Sequence, residues 1–135
     1  MILQLKRQHL DLLKHETEKV HPVEACALLF GTCSQNNLLI LQQIVIAPNR
    51  LQSAVKFEID PTTVVKALTK AEEAGLDFIG LFHSHPAPAV PSSTDLKFMK
   101  LWGDILWLIM SSTECKLAAY QLNNDILKEV TIRIG

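Results

Sequence analysis

No stretch of this 135-residue sequence is apolar for long enough to cross a bilayer. Runs such as Ile105–Met110 fall far short of the ~18–20 residues a spanning helix needs. An excess of positive charge is also missing: 13 basic residues against 14 acidic leave a net charge of −1 and nothing to grip nucleic acid by its phosphates. Cysteine is scarce. Cys26, Cys33 and Cys115 cannot all pair within one chain, and none stands in a C-x-x-C arrangement, so a disulfide scaffold is excluded. Cys26 lies in an apolar run and reads as a small core residue, while a Cys33–Cys115 bridge between two turns stays open. The first residues lack the basic-then-apolar order of a secretory signal, which makes the cytoplasm the expected setting. Repeats, linkers and low-complexity tracts are absent too. What remains is 48% apolar and 20% charged, the make-up of a single folded domain over residues 1–135.

Apolar residues at helical spacing, Leu10, Leu13 and Val20, predict a first amphipathic helix from about Lys6, ended by His21-Pro22. Ala25–Phe30 and Leu38–Ile46 read as strands, and the alternation over Ala54–Ile59 predicts a half-buried third. Asp60-Pro61 is a helix start in which Asp caps the free amides and Pro takes the first turn. Val64, Leu68 and Ala71 supply that helix's apolar face, and Gly75 its stop. Phe78–Phe82 is the next strand, Thr94–Trp102 a third helix ended by Gly103, and Ile105–Met110, Leu117–Leu122 and Ile126–Ile134 are the closing strands. The mixture predicts an α/β fold, a mixed sheet with about three helices packed on it. His9 and His15 are expected to face solvent, His21 is a candidate for a supporting role near Glu24, and Trp102 and Trp107 are expected to fill the core.

The chemistry concentrates between His83 and Asp95. Residues two apart on a strand point to one side, so His83 and His85 can converge on one ion from a strand end. Asp95, brought back by a loop holding Pro86, Pro88 and Pro91, can add a carboxylate. Two His, one Asp and a position open to water is the composition of a catalytic Zn2+ site, whereas structural sites close with four protein ligands. Glu24 heads a buried apolar strand, a costly place for a carboxylate, and is the candidate general base; pairing with a Lys or Arg is the alternative. Ser92 can donate to an oxyanion, or simply cap a helix through the Ser92-x-x-Asp95 pattern. Together these residues suit metal-assisted amide hydrolysis.

Glu24 within His21-Pro22-Val23-Glu24, then His83-Ser84-His85-Pro86 and Ser92-Ser93-Thr94-Asp95, resemble the JAMM motif of MPN+ zinc metalloproteases. The resemblance implies one MPN domain, cytidine-deaminase-like in fold, with Glu24 as general base, His83, His85 and Asp95 as ligands of one zinc ion, and Ser92 as oxyanion stabiliser. It implies an isopeptidase acting after the C-terminal glycine of ubiquitin or a ubiquitin-like modifier. Processing of a sulfur-carrier-like precursor and a non-catalytic scaffold are the alternatives. Partners implied are the modifier and its conjugates, with the proteasome or a second copy of the chain as further candidates. The family pattern has seven residues between the second His and the Ser. Here there are six, Pro86 to Pro91, and the shortening is expected to fall in the proline loop and spare the ligand. Ala47–Lys56 corresponds to a segment that grips the modifier's extended tail, which makes Leu51, Gln52, Ser53, Ala54 and Val55 the expected substrate-binding residues, paired to the tail as a strand.

Overall fold

All 135 residues are described by a computed structural model. Its strands are β1 (Ile2–Leu5), β2 (Cys26–Cys33), β3 (Leu38–Ala47), β4 (Asp77–His85), β5 (Leu106–Ser111), β6 (Leu117–Asn123) and β7 (Ile126–Ile134). They close into a barrel in the order β1-β3-β2-β4-β5-β6-β7. Three helices pack around it: α1 (Arg7–Val20), α2 (Pro61–Glu73) and α3 (Ser93–Trp102). β1 runs parallel to β3 and β7, and β4 parallel to β5, while the other neighbours are antiparallel. The expected mixed α/β architecture with three helices is therefore present.

Strand alternation sorts the side chains into two cores. Ala27 and Leu29 of β2 join Leu3, Leu41, Phe82, Leu106 and Leu108, closed by Leu10 and Leu13 of α1. Leu28 and Phe30 point the other way, to Leu81, Trp107, Ala67 and Ala71 of α2, and Met99 of α3. Gly80 makes the close approach of β4 to β5 possible, since a Cβ there would collide with the carbonyl of Leu106. The helix signals act as read: the Asp60 carboxylate accepts from the Thr62 amide at 2.9 Å, and Gly75 takes φ +72° after α2.

Several expectations need correction. Ala54–Ile59 is not a strand; residues 48–60 carry no regular structure. The alternation marked burial at Phe57 and Ile59, which pack against the second core, but not at Val55, which is exposed. A strand also needs a free edge, and β2 is already bonded to β3 and β4 on its two sides. β1 is an addition: Ile2–Leu5 is too short to stand out alone and exists by closing the barrel between β3 and β7. His9 is buried, its Nδ1 accepting from the Lys6 amide at 3.2 Å, rather than facing solvent. On α2 it is Ala67 and Ala71 that are buried, while Leu68 is exposed. Trp107 fills the core as expected, but Trp102 lies at the surface, its ring 5.7 Å from that of Phe78. Cys33 and Cys115 are free and exposed. No helix is long and apolar enough to cross a membrane.

Candidate active site

The site follows from strand parity. Leu81, His83 and His85 share the face of β4 that looks toward α2 and α3, and β2 pairs Cys26 with His83. Carrying that antiparallel register two residues further sets Glu24 opposite His85. Ser84, on the other parity, bolts the strand heads together: its hydroxyl accepts from the Ala25 amide at 2.9 Å and its amide donates to the Ala25 carbonyl at 3.0 Å.

Asp95 arrives on the first turn of α3. Ser92 is the N-cap, its Oγ accepting from the Asp95 amide at 3.0 Å, while the Ser92 amide donates to Asp95 Oδ2 at 2.9 Å. This reciprocal pair fixes the carboxylate. The same Oδ2 lies 3.1 Å from His83 Nε2 and 3.9 Å from His85 Nε2. Ligand atoms of His83, His85 and Asp95 all fall within 4.8 Å of one another, and all three residues are buried. Ligands ~2.0–2.2 Å from a tetrahedral zinc ion stand roughly 3.3 Å apart, so the cluster needs only small adjustments to hold one.

The unpaired atoms point the same way. His85 Nε2 is buried without a hydrogen-bond partner and is aimed at this cluster. Burial, and then the neighbouring His83, hold the His85 pKa below its ordinary value, which keeps the ring neutral at pH 7, the form that ligates metals. Burial pushes the Asp95 carboxyl up, but the hydrogen bond and charge of His83 and the bonds from Ser92 outweigh it and leave the pKa lowered. A buried anion facing two imidazole nitrogens fits a dication better than it fits a dry core.

Glu24 is buried with Oε1 unpartnered. Burial, and then the charge of Asp95, push its carboxyl up to about 8. No Lys or Arg forms an ion pair with it. Glu24, His85 and Ser92 line one cleft of about 440 Å³ with Ala54, Val55, Ala87, Pro88 and Val90. The proline loop that supplies Ala87, Pro88 and Val90 is tied down by the Tyr120 hydroxyl, which donates to the Ala89 carbonyl at 2.7 Å.

Of the expected substrate-binding residues, Ala54 and Val55 form the cleft wall, and Ser53 contributes its carbonyl to the Glu24 amide at 2.8 Å. Gln52 lies in an adjoining groove with Glu24, and Leu51 is exposed and borders neither cleft. His21 Nδ1 contacts the Ser112 hydroxyl at 2.8 Å, and the Ser112 amide in turn donates to the His85 carbonyl at 3.0 Å. Two residues at the site went unread in the sequence. Phe57 stacks on His83, centroids 4.9 Å apart at 22°, with the edge of Trp107 on another side of the ring at 5.8 Å. Asn49 is a buried hub of the 48–60 loop. The signal for it was an Asx residue directly after a strand-ending proline, a position from which a side-chain amide organises backbone.

Residues 6–123 match the family described as prokaryotic homologs of the JAB domain. A desampylase of Pyrococcus furiosus is 46% identical over 90 residues, 66% of this chain, and the matched part spans 60% of that relative's length. A desampylase of Haloferax volcanii is 30% identical over 116 residues, 84% of this chain and 79% of the relative. A probable TtuB-protein conjugate cleaving protease of Thermus thermophilus is 36% identical over 59 residues, 42% of this chain and 40% of its own. Among solved structures, a protein of Desulfitobacterium hafniense superposes with a TM-score of 0.88 at 24% identity, covering 98% of this chain and 92% of that one. A protein of Salinibacter ruber does so at 0.69 and 25%, covering 98% and 91%.

Proposed function

Because this chain belongs to the family of prokaryotic homologs of the JAB domain, we propose that it is a zinc-dependent isopeptidase, hydrolysing the bond after the C-terminal glycine of ubiquitin or a ubiquitin-like modifier. The observation that carries the reading is a buried His83, His85 and Asp95 cluster that opens through His85 onto a cleft it shares with Glu24, whose buried Oε1 has no partner. The names of the relatives support the substrate class.

His83 Nε2, His85 Nε2 and an Asp95 carboxylate oxygen would hold the zinc ion. When bound, zinc polarises the scissile carbonyl and makes a neighbouring water acidic enough to attack near pH 7. Glu24 accepts that water's proton and passes it to the leaving amine. Without metal the Glu24 carboxyl is pushed up to about 8; a dication beside it would favour the charged form and bring it to the range where it can take the water's proton and release it to the amine. Capping and catalysis do not compete at Ser92. Its oxygen accepts from the Asp95 amide, which leaves the hydroxyl hydrogen free to donate to the developing oxyanion. The wall of Ala54, Val55, Ala87, Pro88 and Val90 is uncharged and suits a glycine tail held by its main chain.

Ser92→Ala separates the two roles. Loss of the cap should cost about 1 kcal/mol of stability, while loss of the oxyanion donor should lower kcat by roughly 10²–10³-fold. Thermal melts and steady-state kinetics read the two independently, and a stability loss with full kcat would leave Ser92 as a cap alone. The function itself is tested with a panel of modifier conjugates and modifier precursors extended beyond Gly-Gly. Cleavage after the glycine is expected, lost with chelator and restored by zinc. A zinc-loaded protein that cleaves no member of the panel would overturn the assignment in favour of a binding subunit.

A further inference from the structure

Asn49 lines neither the cleft nor the His83, His85 and Asp95 cluster, yet it ties the loop on one side of the cleft to the Glu24 backbone. Its Nδ2 lies 3.1 Å from the Glu24 carbonyl, 3.3 Å from that of Ser53 and 3.0 Å from that of Lys56. Its Oδ1 accepts from the amides of Leu51 at 3.1 Å and Glu58 at 3.2 Å. An amide nitrogen has two hydrogens, so three carbonyls share them and the side chain's donor capacity is used in full. The segment it organises does three things at once. Its Ser53 carbonyl accepts from the Glu24 amide, its Ala54 and Val55 wall the cleft, and its Phe57 stacks on His83. Residues 48–60 have no helix or strand to hold this shape, so their backbone groups depend on Asn49 instead of a ladder.

We propose that Asn49 is a positioning residue for the reaction, locking residues 49–58 to the Glu24 backbone so that the base and the substrate-facing wall are set as one unit. The inference rests on the isopeptidase reading for its kinetic consequence, though not for its structural one. Because Asn49 bonds the Glu24 carbonyl and the Ser53 and Lys56 carbonyls on either side of the Ala54–Val55 wall, its loss should act on kcat and KM together. A displacement of the base by about 1 Å is enough for roughly a 10²-fold loss.

The test compares Asn49→Asp and Asn49→Ala with Val130→Ala, a buried position on β7 in the barrel core. Amide hydrogen exchange by NMR is followed at Glu24, Leu51 and Glu58 in the zinc-loaded protein, with kcat and KM measured on a modifier conjugate. Asn49→Asp keeps an acceptor for Leu51 and Glu58 but replaces the donor that the carbonyls need. It should therefore speed exchange at Glu24 by about tenfold or more while sparing the other two amides. Asn49→Ala should free all three. Both should lower kcat by roughly 10–100-fold and raise KM, whereas Val130→Ala should lower the melting temperature with kcat within about twofold of wild type. Wild-type exchange at Glu24 in both Asn49 variants, or a kcat loss no larger than that of Val130→Ala, would overturn the proposal. Should the alanine variant not fold, the aspartate variant decides alone. If wild-type protein cleaves no conjugate, the isopeptidase reading fails separately, and exchange at Glu24 still decides whether Asn49 holds that residue in place.

Discussion

Glu24→Gln should abolish hydrolysis, by roughly 10²–10⁴-fold, while leaving the fold and zinc binding intact. Glutamine has the same shape and fits the same buried place, but it neither takes a proton from water nor hands one to an amine. The change removes a group that burial already keeps from ionising freely, so the folded protein loses no ion pair. Its effect on pH dependence has a defined sign in the metal-free protein. The Glu24 pKa is raised from 4.5 to about 8, so between those values the folded state holds a proton that the unfolded chain has released. That contribution to stability is full below about pH 4.5 and is lost as pH rises through 8. His85 works in the opposite direction below its ordinary value of 6.5, because its folded-state pKa is lowered and stability rises as the unfolded chain deprotonates. The window from about pH 6.5 to 8 therefore isolates Glu24. Metal-free wild type should lose melting temperature across it, and Glu24→Gln should lose clearly less. Zinc should flatten the wild-type slope, because a dication beside the carboxyl favours its charged form. Equal slopes for wild type and Glu24→Gln without metal would mean that Glu24 is not the group titrating there.

The path from sequence to site was short wherever one local rule decided the matter. Parity along a strand put His83 and His85 on one side, and a helix-start pattern placed Asp95 one turn from Ser92. The same capping bonds that begin α3 aim the Asp95 carboxylate at the imidazoles, so a secondary-structure signal doubled as a site signal. What stayed illegible depended on pairing between distant segments. Ile2–Leu5 becomes a strand only because β3 and β7 present edges on either side of it. Phe57 alternates like a strand residue, yet no edge was free to receive it, and its role on His83 exists only in three dimensions. The hub role of Asn49 was hidden for the same reason, since its acceptors include the carbonyl of Glu24, 25 residues earlier.

Asp95 tests the metal centre most directly, because cap and ligand can be pulled apart. Asp95→Asn keeps an oxygen to accept from the Ser92 amide, so α3 should still begin where it does and the protein should fold. Loss of the negative charge beside the two imidazoles should weaken zinc binding by more than the ~10–100-fold that follows removal of a mere hydrogen-bond partner to a ligand. Activity at micromolar zinc should then fall to background. Stability supplies a readout free of any substrate. Zinc at about a thousand times its dissociation constant stabilises the folded state by about 4 kcal/mol, which for a domain of this size raises the melting temperature by roughly 10–20 °C. Wild type should show that rise and Asp95→Asn should show little of it at the same zinc concentration. Asp95→Ala, which removes the ligand together with the acceptor for the Ser92 amide, should melt lower than Asp95→Asn even without metal. An Asp95→Asn protein that takes up zinc with wild-type stoichiometry and the full thermal rise would remove Asp95 from the ligand set. The ion would then have to be held by His83 and His85 with another donor, and Glu24, the carboxylate lining the cleft, would become the candidate ligand in place of the base.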